Sequence, residues 1–108
     1  MLSESPSVEV TNNTGQNRFE LRLNGDLVGI LGYYEFEPAR PGSGKTPVVS
    51  FMHTVIVEDF GHRGLAGLMV RGALDAARSY GWRVRPVCSY VRRFLDENPG
   101  YRELTVPV

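Results

Sequence analysis

The sequence predicts one mixed α/β (α+β) domain, a mostly antiparallel sheet with one parallel βαβ crossover. Three observations lead there. Residues 8–57 are rich in segments that alternate apolar and polar side chains, the period of a strand. Residues 65–80 change to the i, i+3, i+4 period of an amphipathic helix. A short β-branched segment follows at 84–87, so strand, helix and strand fit within about forty residues and the two strands should run parallel.

The elements follow in order. Val8-Glu9-Val10-Thr11 alternates, and Asn12-Asn13-Thr14-Gly15 is a turn signal. Arg18 to Leu23 alternates with Phe19, Leu21 and Leu23 on one face, and Asn24-Gly25 is a strong hairpin signal. Residues 27–37 supply the returning strand. Residues 38–47 hold three prolines and two glycines and are expected to form a mobile loop. Within it, Gly42-Ser43-Gly44-Lys45-Thr46 is only a fragment of a P-loop. The full pattern needs a glycine at position 39, which is Ala39, and a helix afterwards, where a strand is expected.

Residues 48–57 are apolar on both faces: Val49, Phe51, Val55 and Val57 on one, Val48, Met52 and Ile56 on the other. That pattern predicts a central strand covered on both sides. The helix should bury Leu65, Leu68, Met69, Gly72, Ala73, Ala76 and Tyr80, and stop at Gly81. A second helix over 89–97 ends at Asn98-Pro99-Gly100, and Leu104-Thr105-Val106 is a candidate last strand.

With 108 residues the chain has the size of one domain. The 12 basic and 12 acidic residues balance, which disfavours nucleic-acid binding, because that function usually needs a basic excess. One cysteine and two histidines give no metal-ligand spacing. A lone cysteine, no signal-peptide pattern at residues 1–6 and no membrane-length apolar run lead to the expectation of a cytoplasmic protein without membrane partners.

The segment Phe60-Gly61-His62-Arg63-Gly64-Leu65-Ala66-Gly67 joins the central strand to the long helix. It holds no Ser, Thr, Asp or Asn to cap the helix, so the first helical amides lack an internal acceptor. Together with the helix dipole, His62 and Arg63, they would suit an anion. A strand-to-helix turn with solvated amides is the alternative.

The run from His53 to Leu74 resembles the acetyl-coenzyme A signature of the GNAT superfamily: a strand, then Gln/Arg-x-x-Gly-x-Gly/Ala, then a helix. Gly64 and Ala66 fill the Gly-x-Gly/Ala part. The Gln/Arg position falls on Gly61, and Arg63 stands one residue before Gly64. Phe51-x-His53-Thr54, Pro86-x-Cys88-Ser89-Tyr90-Val91 and Asn98-Pro99-x-Tyr101 are similar to a small GNAT subgroup. Its members lack the helices that larger ones insert after the first strand. The likeness runs from residue 8 onward. It implies a reduced GNAT-like fold over residues 8–108, which would hold acetyl-coenzyme A (acetyl-CoA), behind a flexible tail at residues 1–7.

The resemblance also implies roles. Gly61, His62, Arg63, Gly64, Leu65 and Ala66 would hold the pyrophosphate. The backbone from Val55 to Val57 would pair with the pantetheine arm, and an amide there would polarise the thioester carbonyl. Pro86 cannot donate to a ladder, so it fits either a splay between the parallel strands or a plain strand end. Cys88 could protonate the leaving thiolate, accept the acetyl group transiently, or simply pack as a small hydrophobe. His53 could take the proton of the acceptor amine, or be a hydrogen-bonded core histidine. Larger members use a tyrosine in the last helix as the acid, and here that position falls on Asp96. Tyr90 and Tyr101 are substitutes or packing aromatics, while Arg92 and Arg93 either meet cofactor phosphate or are solvated.

The function expected is an N-acetyltransferase that uses acetyl-CoA on an unidentified primary amine, a small molecule or a protein lysine, as monomer or homodimer. The alternatives are a CoA-binding module with little turnover and an interaction domain of GNAT-like shape.

Overall fold

The structure, a computed structural model, describes residues 7–37, 46–57 and 64–107. Residues 1–6 of the expected 1–7 tail, residues 38–45 of the 38–47 loop, and Gly61, His62 and Arg63 lie outside the described residues.

Five strands form one sheet in sequence order: β1 (Val8–Asn13), β2 (Arg18–Leu23), β3 (Asp26–Glu37), β4 (Val48–Ile56) and β5 (Arg83–Pro86). The first four are antiparallel, and β4 pairs with β5 in parallel. Helix α1 (Leu65–Tyr80) is the crossover, and α2 (Ser89–Glu97) follows β5. The mixed sheet with one parallel crossover is the fold class the sequence predicted.

Local chemistry explains the boundaries. Asn24 and Gly25 both take positive φ, 51° and 87°, as a two-residue hairpin between β2 and β3 requires. Gly81 ends α1 in the left-handed region at φ 76°, its amide bonded to the carbonyls of Ala77 and Arg78. β1 and β2 are joined only by a 3₁₀ turn, Thr14–Gln16, which Asn13 caps through its side chain. At the far end Leu104 closes a 3₁₀ segment, Pro99–Leu104, instead of opening a strand. Thr105 then makes an isolated parallel bridge to Val84.

Both helices pack on one face of the sheet. Phe19, Leu21, Leu31, Phe51, Met69 and Leu74 fill the core there, essentially without exposure. Burying each such side chain contributes about 1.5–3 kcal/mol. The α1 stripe is rotated from the expected one: Leu65, Met69, Val70, Ala73, Leu74 and Ala77 are buried, while Leu68 and Tyr80 are 46% and 50% exposed. The periodicity was right, but its phase was set by which residues meet the sheet.

β4 departs from expectation in a way that shapes the site. Gly32 pairs with His53 and Tyr33 with Phe51, so one β3 step spans two on β4 and Met52 is an extra, bulged residue. Alternation resets there. Val49 and Phe51 face the helices before the bulge, and Thr54 and Ile56 face them after it. Val55 and Val57, expected to share a face with Phe51, are instead 52% and 47% exposed on the helix-free face, and Met52 is exposed too. β4 is therefore covered on one side only.

The helix-free face carries a buried carboxylate. Glu20 accepts hydrogen bonds from Arg22 (2.8 Å), Asn13 (3.0 Å) and Arg18 (2.8 Å). The bond from Arg22, then those from Asn13 and Arg18, hold its pKa at about 2, below the ordinary 4.5. A depressed carboxylate pKa gives stability that is complete above the unfolded value and lost as pH falls through the folded one. In urea titrations Glu20→Gln should therefore be less stable than wild type at neutral pH, by about 1–2 kcal/mol given the partly exposed arginines. The two curves should converge as pH drops from 4.5 toward 2. A constant gap across that window would show that the carboxylate charge contributes nothing.

Candidate functional site

The site begins where β4 and β5 part. Their pairing runs from Val48/Arg83 to Phe51/Pro86. Pro86 has no N–H to continue the ladder. The Val87 amide turns back to Arg85 C=O, and Cys88 N–H makes the last bond, to Phe51 C=O at 2.8 Å. Among the described residues no pairing goes further. Pro86 is the last residue of β5, so it lies at a strand end, and the ladder to β4 stops with it.

The bulge decides which groups line the opening. Val57 N–H donates to Val28 C=O at 2.8 Å. Counting back by two, the backbone of Val55 also faces β3, so that of Thr54 and Ile56 faces the opening. The Val57 amide expected to meet a pantetheine arm is thus engaged within the sheet, and the free edge belongs to its even-numbered neighbours.

Cys88 sits at the mouth of this opening as the N-cap residue of α2, 8% exposed. Its Sγ lies 3.5 Å from Thr54 Oγ1. His53 is exposed on the other face, its ring so close over Gly32 that a Cβ there would meet it at 2.6 Å. It is not a core histidine. The structure brings Thr54 to Cys88 and puts His53 and Cys88 on opposite faces of β4. A hollow of about 270 Å³ adjoins His53, between Asn17, Arg18, Ile30 and Met52.

The second candidate region is the start of α1. Gly64 is its N-cap at φ 71°, ψ 10°, with no side-chain cap, and the first turn holds no acidic residue. The first helical bond is Leu68 N–H to Gly64 C=O, 3.3 Å. The amides of Leu65, Ala66 and Gly67 precede it and have no partner among the described residues, and they stand at the positive end of the helix dipole. Among the described residues nothing lies within 4 Å of where a Gly64 or Gly67 Cβ would stand. A cleft of about 350 Å³ leads from Gly67 to α2, lined by Tyr90, Arg93, Phe94, Glu97 and Asn98.

The remaining candidates separate by position. Arg93 and Tyr90 line that cleft. Arg92 lines a larger hollow of about 530 Å³ on the outer side of β5, with Pro86, Leu95 and Asp96. Asp96 is 73% exposed at its side chain and paired with Arg102. Tyr101 is a packing aromatic: its hydroxyl donates to Asp75 at 2.8 Å, with Arg71 and Arg78 over its ring. Burial and the Asp75 carboxylate push its pKa up. Among the described residues no group of histidine, cysteine and carboxylate side chains could hold a metal, and no helix is long and apolar enough to cross a membrane.

Ile56 lies inside the expected Val55–Val57 stretch, but Thr54 was not among the expected site residues. The only signal was Thr54 inside the His-Thr motif, because a bulge leaves no mark in the apolar pattern.

Comparison with known proteins fits this geometry. A family profile described as GCN5-related N-acetyl-transferase matches residues 18–104. Protein NATD1 of Gallus gallus is 24% identical over 99 residues, 92% of this chain and 84% of that protein. Protein NATD1 of Bos taurus is 27% identical over 92 residues, 85% and 75% of the two chains. Among solved structures, a ribosomal-protein-alanine N-acetyltransferase from Brucella melitensis is similar in fold, with a TM-score of 0.55 and 20% identity over 84% of this chain. An aminoglycoside acetyltransferase from a soil metagenomic sample, solved with sisomicin, gives 0.54 and 14% over 79%. The match spans 62% and 55% of the length of those two structures.

Proposed function

The chain belongs to the GCN5-related N-acetyltransferase family, and on that premise we propose that it is an acetyl-CoA-dependent N-acetyltransferase acting on a primary amine. One observation carries the reading. Among the described residues, a bulge and the end of β5 at a proline leave the backbone edge at Thr54 and Ile56 unpaired, beside a cysteine and on the strand that precedes a helix with no capping side chain. The residues present suit the cofactor: free amides for a pyrophosphate, a strand edge for an amide-bearing arm, and no acidic group in the first turn of α1 to repel phosphate.

Acetyl-CoA supplies the acyl group already activated as a thioester. The amides of Leu65, Ala66 and Gly67 hold the pyrophosphate, with Gly61, His62, Arg63 and Gly64 just before them in the chain. The backbone of Thr54 and Ile56 aligns the pantetheine arm, and an amide of that edge polarises the carbonyl as charge develops on its oxygen. Val55 and Val57 hold the edge in place through their bonds to β3. The amine nitrogen forms the new bond to the acyl carbon, and the carbon–sulfur bond breaks. His53, exposed on the helix-free face, takes the proton the amine loses, and the Cys88 thiol gives one to the departing sulfur.

The acceptor is a protruding amine, on a small molecule or a protein lysine. Among the described residues the connection between β1 and β2 is a single turn, which adds little to enclose a substrate. A free thiol at the centre of the site suits a reducing compartment, and we place the activity in the cytoplasm. One observation favours a second reading, a CoA-binding module of low turnover: Asp96, at the position of the family's tyrosine acid, is paired with Arg102 away from the opening.

The test is release of free CoA from acetyl-CoA in the presence of lysine peptides and small primary amines, beside calorimetric titration of both nucleotides. Amine-dependent release is expected. Binding without amine-dependent release would favour the module, and no binding of either nucleotide would sink both readings.

A further inference from the structure

We propose that Thr54 is a positioning residue for the Cys88 thiol, holding it at the opening between β4 and β5 during acetyl transfer. This inference rests on the proposed acetyltransferase reading and deepens it.

The geometry is specific. Thr54 Oγ1 and Cys88 Sγ are 3.5 Å apart, and either can donate. The Cys88 backbone is fixed separately, through its N–H to Phe51 and its C=O to the Arg92 amide. The side-chain torsion that swings the sulfur is what remains, and Thr54 is the partner that restrains it. Thr54 is itself stiff, being β-branched on a paired strand. It reaches Cys88 only because of the Met52 bulge: with unbroken alternation after Phe51, His53 and Val55 would face α2 and Thr54 would face away.

The restraint has a chemical use. With the Thr54 hydroxyl donating to Sγ, the thiol hydrogen is free to point into the opening. When that proton passes to the sulfur of CoA, the S–H bond of Cys88 breaks and the S–H bond of CoA forms. Cys88 is left as a thiolate that already accepts a hydrogen bond from Thr54. The proton lost by the acceptor amine, returned through solvent, restores the thiol, so the cycle balances without any other reactant.

The test uses the purified chain, wild type and the variants Thr54→Val and Thr54→Ser. Three quantities are read: calorimetric affinity for CoA, kcat and KM for acetyl-CoA, and the rate of alkylation by iodoacetamide. The chain has one cysteine, so alkylation reports on Cys88 alone. Valine keeps the shape of threonine without its hydroxyl, and serine keeps the hydroxyl. Thr54→Val is expected to retain CoA affinity and KM, to lose about tenfold in kcat and to change the alkylation rate by about threefold or more, with Thr54→Ser restoring both. Loss of CoA binding by the wild type would instead remove the acetyltransferase reading. With binding intact, a Thr54→Val protein that matches wild type in alkylation and kcat overturns the positioning role. So does a Thr54→Ser protein that behaves like Thr54→Val, because side-chain shape would then be what matters.

Discussion

Gly64→Glu is expected to abolish CoA binding, with a loss of at least about 100-fold in affinity. The physical reason is twofold. The amides of Leu65, Ala66 and Gly67 form the positive end of a 16-residue helix, and a carboxylate on the N-cap would occupy and neutralise that end. It would also repel the pyrophosphate at short range, where screening by salt is weak. Gly64→Ala is the necessary comparison. Both variants bear the strain of a side chain at φ 71°, about 1 kcal/mol, and neither Cβ meets a neighbour within 4 Å. The alanine variant should therefore bind CoA within about tenfold of wild type while melting a few degrees lower. The readout is calorimetric titration of CoA into all three proteins. Unchanged affinity in Gly64→Glu would move the pyrophosphate away from α1 and take the cofactor assignment with it.

Cys88→Ala should separate chemistry from binding. In the proposed reaction Cys88 acts only through its sulfur, so the variant is expected to bind CoA within about threefold of wild type and to lose on the order of 100-fold in kcat. Removing a nearly buried sulfur also costs about 1 kcal/mol of stability, so the assays belong well below the melting temperature. Intact mass after mixing wild type with acetyl-CoA, without an amine, distinguishes the two uses of the thiol. A gain of one acetyl group on Cys88 makes it the transient acceptor, and an unmodified chain leaves it as the acid. Full kcat in Cys88→Ala would return the residue to packing and shift the search for the acid to Tyr90, which lines the cleft from α2.

Much of this was written locally in the chain. β2 and both helices begin and end where the sequence places them. Each boundary is set by a neighbour in sequence: Asn24-Gly25 for the hairpin, Gly81 for α1, Asn98-Pro99 for α2. The uncapped start of α1 was equally legible, because a missing cap is a missing residue type within a few positions. So was the cysteine beside a proline that cannot pair.

Tertiary structure alone decided which side chains meet. Period two says that strand residues alternate, but one bulged residue resets the phase, and apolar Met52, Val55 and Val57 give no sign that they will be the exposed ones. The same reset moved the free backbone edge from Val55 and Val57 to Thr54 and Ile56, parted His53 from Cys88 and set Thr54 against the thiol. The phase of α1 was likewise fixed by contact with the sheet. Turn and cap preferences are energies of neighbouring residues, so the sequence by itself determined where the elements lie, which family pattern they match and which helix start has no capping side chain. Strand register and helix phase depend on contacts between segments tens of residues apart, so the composition of the cleft was settled only when those segments packed.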